Sequence, residues 1–151
     1  MNAKEARKII STAIDREVES YTFYKAAAGK VKDKALKSMF TELAGDEKKH
    51  REFLQAFLTR DPKTLKFVAS ADYKVVNDKK TPPLTEDMKP LDGLVVAIKK
   101  ELEAMQMYTQ LAKASADTET QFLFSQLANM ESTHKARLED IYTNMAFPEA
   151  W

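Results

Sequence analysis

The chain repeats itself. Displaced by 84 residues, positions 13–54 align without a gap on positions 97–138, with 13 identities in 42 positions. Ala13, Ile14, Glu17, Glu19 and Tyr24 fall on Ala97, Ile98, Glu101, Glu103 and Tyr108, and Ala28 and Asp33 meet Ala112 and Asp117. Phe40, Leu43, Ala44, Glu47, His50 and Leu54 fall on Phe124, Leu127, Ala128, Glu131, His134 and Leu138. Whatever one half folds into, the other must fold into as well, so the chain is expected to pair two like units about a pseudo-twofold axis.

The unit is helical. Proline is excluded from helix interiors, and Pro62, Pro82, Pro83, Pro90 and Pro148 leave two long windows free, 1–61 and 91–147. Gly29 and the polar run to Asp33 read as a C-cap and turn in the first window. Residues 115–118, with Asp117 as N-cap, do the same in the second. Four helices are expected, near 3–28, 34–59, 91–115 and 118–145, each about 38 Å long at 1.5 Å per residue. They form an all-α four-helix bundle in one domain over 1–151: two antiparallel hairpins, about 3–59 and 91–145, joined by a long crossover over 60–90. A strand at 65–68 or 73–76 within the crossover is weakly signalled.

Heptad positions give each helix a buried seam. They read Ile10, Ile14, Glu17, Tyr21, Tyr24, Ala28 on the first helix and Leu36, Phe40, Leu43, Glu47, His50, Leu54, Phe57 on the second. The third gives Leu94, Ile98, Glu101, Met105, Tyr108, Ala112 and the fourth Phe124, Leu127, Glu131, His134, Leu138, Ile141. Four glutamates and two histidines thus sit where a bundle should be dry, and all six belong to the repeat. Met39, Met105, Met107 and Met130, at helical spacing, read as core filler rather than haem ligands.

Composition removes most other chemistries. Cysteine is absent, which excludes disulfides, thiol catalysis and Cys-ligated zinc or iron. The 24 basic and 23 acidic residues leave a net charge of +1, so no electrostatic footprint for nucleic acid or an anionic membrane is present. The longest uncharged run, 120–130, is far short of a membrane span. The first 17 residues reach Asp15 and Glu17 too soon for a signal-peptide core, and a cytoplasmic location is the expectation.

Burying an unpaired carboxylate is very costly, so these glutamates must be protonated, paired or metal-bound. No lysine or arginine shares their seams. Two divalent cations would neutralise four carboxylates, with both imidazoles neutral. In Glu47-x-x-His50 and Glu131-x-x-His134, positions i and i+3 share a helix face and can serve one metal pair. With the first turn centred near residue 31, Glu17 and the Glu47/His50 pair differ in height by about one helical turn, ~5 Å. The second hairpin repeats that register, so all four contributions are expected at one level near mid-bundle.

One Glu from each of two helices plus Glu-x-x-His from each of the other two is a dinuclear carboxylate arrangement. On these residues the chain resembles the ferritin-like superfamily, and within it the rubrerythrin-like proteins. AIDREVESYTFYKAAA with FTELAGDEKKHREFL, and AIKKELEAMQMYTQLA with FSQLANMESTHKARL, look like that family's paired half-sites. The resemblance covers both hairpins and leaves out the crossover and the tail. It implies two iron ions, with manganese or zinc as alternatives. Glu17 and Glu101 would be terminal ligands, Glu47 and Glu131 bridging ones, and His50 and His134 the nitrogen donors. It implies an oxidoreductase that reduces hydrogen peroxide or oxygen, and a homodimer. Two departures bear on this. No Cys-ligated rubredoxin-like iron is present, so an external electron donor is required. The family's extra glutamate one turn after the third-helix ligand is here Ala104. Two other readings remain open: iron oxidation for sequestration, which would call for a hollow cage, and a structural bundle with a non-catalytic metal pair.

Around the six, Tyr24 and Tyr108 follow Glu17 and Glu101 by seven residues on the same face. Each is either a hydroxyl bonded to a ligand carboxylate or an ordinary core tyrosine. Asp46 is either the partner of His134's ring N–H across the bundle or an interhelical aspartate. Its repeat mate is Met130, so the half-sites would differ. Glu19 and Glu103 face away from the ligands and suit salt bridges with neighbouring lysines. Gly45 either permits a close helix approach or carries no role.

Overall fold

The computed structural model describes residues 3–59 and 89–147. Four helices account for nearly all of them: α1 (Ala3–Lys30), α2 (Lys34–Leu58), α3 (Pro90–Ala114) and α4 (Thr118–Ala146). Helix α1 packs along α2 and α3 along α4, and α1 also meets α3. The two expected hairpins are thus present, within two residues of the expected bounds. The strands considered at 65–68 and 73–76 lie outside the described residues, as does the course of the crossover.

The helix starts follow from local chemistry. Asp33 and Asp117, repeat mates, both adopt extended backbone and cap the helix that follows: Asp33 Oδ1 accepts from the Leu36 N–H at 2.8 Å, and Asp117 Oδ2 from the Thr120 N–H at 3.0 Å. Pro90 opens α3, where its missing N–H costs nothing. Gly29 is not the expected cap. It lies inside α1, which runs on to Lys30, and no described glycine has a positive φ. A Cβ at Gly45 would meet nothing within 4 Å, so no close approach depends on it.

Two apolar clusters fill the bundle, and the repeat maps one on the other. One holds Ala13, Leu54, Tyr108, Leu111, Phe124 and Leu127; the other holds their mates Ala97, Leu138, Tyr24, Ala27, Phe40 and Leu43. The charged seam residues lie between them. On α1 and α3 the buried face is broader than a single heptad seam, because each helix touches two neighbours. Ala13, Ala97, Ala104 and Met107 are buried, whereas Ile14, Tyr21, Ile98, Met105, Ala112 and Ile141 are only partly so. Met130 is not core filler: it is 41% exposed on α4.

Candidate metal centre

Each helix delivers its share at one level. Glu17 comes from α1, Glu47 and His50 from α2, Glu101 from α3, and Glu131 and His134 from α4. The i, i+3 spacing puts each Glu–His pair on the inner face of its helix, and all six residues are buried. Their donor atoms gather into two groups, Glu17, Glu47, His50, Glu131 and Glu47, Glu101, Glu131, His134, the atoms of each lying within 4.8 Å of one another. Glu47 and Glu131 belong to both.

Both imidazoles turn Nδ1 inward. His50 Nδ1 lies 3.0 Å from Glu131 Oε1 and 3.6 Å from Glu17 Oε1. His134 Nδ1 lies 3.4 Å from Glu47 Oε1 and 3.6 Å from Glu101 Oε2. The rings stand 6.2 Å apart, nearly parallel at 15°. None of these approaches has hydrogen-bond alignment: both Nδ1 atoms, Glu17 Oε2, Glu47 Oε1, Glu101 Oε2 and both oxygens of Glu131 are buried without a hydrogen-bond partner. Seven orphaned polar atoms converging on one small volume would cost on the order of 10 kcal/mol if nothing else met them, at about 1–3 kcal/mol each. A donor set of carboxylate oxygens and imidazole nitrogens suits iron, manganese or zinc, and the residues fit a dinuclear metal.

Proton affinities carry the same mark. Burial raises the Glu47 carboxyl well above the usual carboxylate range, and the charges of Glu131 and Glu17 add to it. Glu131 is raised by burial and then by Glu101 and Glu17. Burial alone would lower His134, but the carboxylates of Glu101 and Glu47 beside it prevail and push it up to about 10. These are groups crowded with negative charge and short of cations.

A second layer holds the cluster in place, and it crosses between the repeats. Tyr24 on α1 donates its hydroxyl to Glu101 Oε1 on α3 at 2.5 Å, and Tyr108 on α3 donates to Glu17 Oε1 on α1. Each tyrosine therefore serves the glutamate of the opposite half, not the one on its own helix. Both hydroxyls are raised well above their ordinary value, by burial first and then by the carboxylate charges. Asp46 Oδ2 stands 3.0 Å from His134 Nε2, bridging α2 and α4. Outside this layer Arg16 donates to Glu103 at 3.1 Å and Lys100 to Glu19 at 2.9 Å, a symmetric pair of ion pairs between α1 and α3. Sequence reasoning gave Glu103 a lysine partner, and it is an arginine. Lys100 is 6% exposed and lies over the Phe23 ring at 5.2 Å. The repeat carried the signal: Arg16 and Lys100 are mates, each directly before a ligand candidate.

The family model described as Rubrerythrin matches residues 8–142. A solved structure described as a ferritin-like diiron-carboxylate protein from Thermotoga maritima superposes with a TM-score of 0.79 at 19% identity, over 93% of this chain and 95% of that one. A hypothetical protein from Pyrococcus furiosus superposes with a TM-score of 0.74 at 23% identity, over 100% and 99%. At these identities both share the fold. No curated protein matches the chain.

Proposed function

The chain belongs to the rubrerythrin family, and from that premise we propose that its buried cluster holds two iron ions and serves an oxidoreductase that reduces oxygen or hydrogen peroxide with electrons from an external donor. The observation that carries this reading is the pair of four-residue groups sharing Glu47 and Glu131. Shared carboxylates suit bridging positions, Glu17 and Glu101 suit terminal ones, and each position receives one imidazole. Manganese or zinc would be accepted by the same donors.

When bound, an iron pair supplies two one-electron redox centres and open positions for an oxidant. The chain's own residues do the rest. Tyr108 and Tyr24 fix the carboxylates of Glu17 and Glu101 by hydrogen bonds, so neither swings into solvent. Asp46, accepting from His134 Nε2–H, leaves Nδ1 as the lone-pair nitrogen facing the cluster. The apolar clusters on either side exclude water from the charged level. One turn after Glu101 the inner face carries Ala104, which can neither ligate nor move a proton. Among the described residues, the six cluster residues, the two tyrosines and Asp46 are the groups placed to carry a proton there. The protein is further proposed to act as a homodimer.

Metal content per chain after anaerobic expression in iron-rich medium, with an optical spectrum on adding oxygen or peroxide, tests the reading. Close to two irons and a rapid ferrous-to-ferric change are expected, and Glu47→Ala should remove most of the metal. Less than half an equivalent of any metal, unchanged in Glu47→Ala, would sink it.

A further inference from the structure

The repeat relates the surroundings of one histidine to those of the other, and along the seam between α2 and α4 the two differ in kind. Over His134, Asp46 accepts from Nε2, and Arg137 reaches across from α4 to grip Glu42 on α2 with two hydrogen bonds of 3.1 and 2.9 Å. The mates of Asp46, Arg137 and Glu42 are Met130, Phe53 and Gln126. A thioether, a phenyl ring and a neutral amide replace a carboxylate, a guanidinium and a carboxylate. On that side an open groove walled by Met130, Phe53 and Gln126 lies over His50, and His50 Nε2 is buried with no hydrogen-bond partner among the described residues.

An imidazole that binds a metal through Nδ1 carries its proton on Nε2. A carboxylate accepting from that N–H fixes the tautomer, holds the ring in orientation and makes Nδ1 more basic. His134 gains all three, because Asp46 Oδ2 stands 3.0 Å from its Nε2. His50 gains none. Nothing opposes its other tautomer, in which the Nδ1–H faces Glu131 Oε1 at 3.0 Å. A metal on His50 must turn that tautomer over and leave a buried Nε2–H without an acceptor, which is costly. The four carboxylates do not create this difference, since each group of donors holds three of them and shares Glu47 and Glu131.

We propose that the two metal positions are unequal, that the one beside His134 binds about 10–100-fold more tightly than the one beside His50, and that residues 46 and 130 set the order. Asp46 and Met130 are positioning residues, each acting through the imidazole next to it. The position beside His50 fills last and gives up its ion first. The inference rests on the dinuclear reading above and adds an order of filling to it.

Zinc is the probe, because it has no redox chemistry. Crystals of the full chain given a single equivalent of zinc, measured by anomalous diffraction at the zinc edge, report each position separately. Two cations held close together repel, so binding in two steps is expected of any such pair, and the readout is which position fills first. Zinc should lie mainly beside His134. Met130→Asp gives His50 the carboxylate that Asp46 gives His134, at a position 41% exposed where a charge is tolerated, and should bring the two occupancies close to equal. Met130→Leu, which keeps the bulk and adds no acceptor, should leave the order as it is. Exchanging the pair, Asp46→Met with Met130→Asp, should reverse it. Equal occupancy in the unaltered chain, zinc first beside His50, or an order that Met130→Asp leaves unmoved would each overturn the proposal. Two equally filled positions would count against the order alone, whereas zinc at neither position would overturn the metal centre with it.

Discussion

Asp46 shows how much one side chain can decide. Ligating histidines commonly rely on a partner at the distal nitrogen, and removing such a partner costs about 10–100-fold in metal affinity. His134 has that partner at 3.0 Å, and His50 has none among the described residues. Asp46→Asn keeps the shape and removes the charge. A cobalt titration followed by visible absorption should therefore show one of the two binding events weakened about 10–100-fold, the other unchanged. Equal weakening of both would mean that Asp46 acts on the bundle as a whole. Asp46 was readable as a candidate because it precedes Glu47 and breaks the repeat, but an aspartate on a helix flank is more often solvated. Only the distance across to α4 distinguishes the two.

At the scale of the helix, the two hairpins start their second helices with the same device. An N-cap aspartate replaced by alanine typically costs about 1 kcal/mol, so Asp33→Ala and Asp117→Ala should each lower stability by about that amount in urea unfolding, and the double variant by nearly the sum. The sites lie on different hairpins and share no partner, which is the condition for additivity. A double variant much worse than the sum would show that the two sites are energetically coupled through the bundle. The helix bounds were legible because proline, the polar turns and the caps are local signals. Gly29 misled because a glycine near a helix end usually adopts the left-handed conformation, and here the backbone continues helical for one more residue.

For the whole molecule, the buried cluster sets the response to pH. Glu47 and Glu131 are raised and His134 is raised to about 10, so the folded metal-free chain holds protons that the unfolded chain has released. That stabilisation is complete below the ordinary carboxylate range and is lost as pH rises, first through the raised carboxyls and then towards about 10 for His134. The melting temperature of metal-free protein should fall steadily from pH 5 to pH 9. Metal binding displaces these protons, so the gain in melting temperature on adding ferrous or zinc ion should grow over the same interval. A metal-free melting temperature that rises with pH would contradict the crowding of carboxylates in the core. No described helix is long and apolar enough to cross a membrane.

By itself the sequence determined the number of helices, their pairing into hairpins and the six polar residues that break the apolar seams. Periodicity, proline and an internal repeat are properties of the chain read along its length. The tertiary structure decided what happens across it. Tyr24 serving Glu101 rather than Glu17, Lys100 folded inward against Phe23 and Glu19, and the open groove over His50 all depend on which helix faces which and at what distance. The repeat could say that Asp46, Glu42 and Arg137 have unlike mates. That those three lie together along the α2–α4 seam follows only from packing, because residues distant along two different helices become neighbours when the helices are brought side by side.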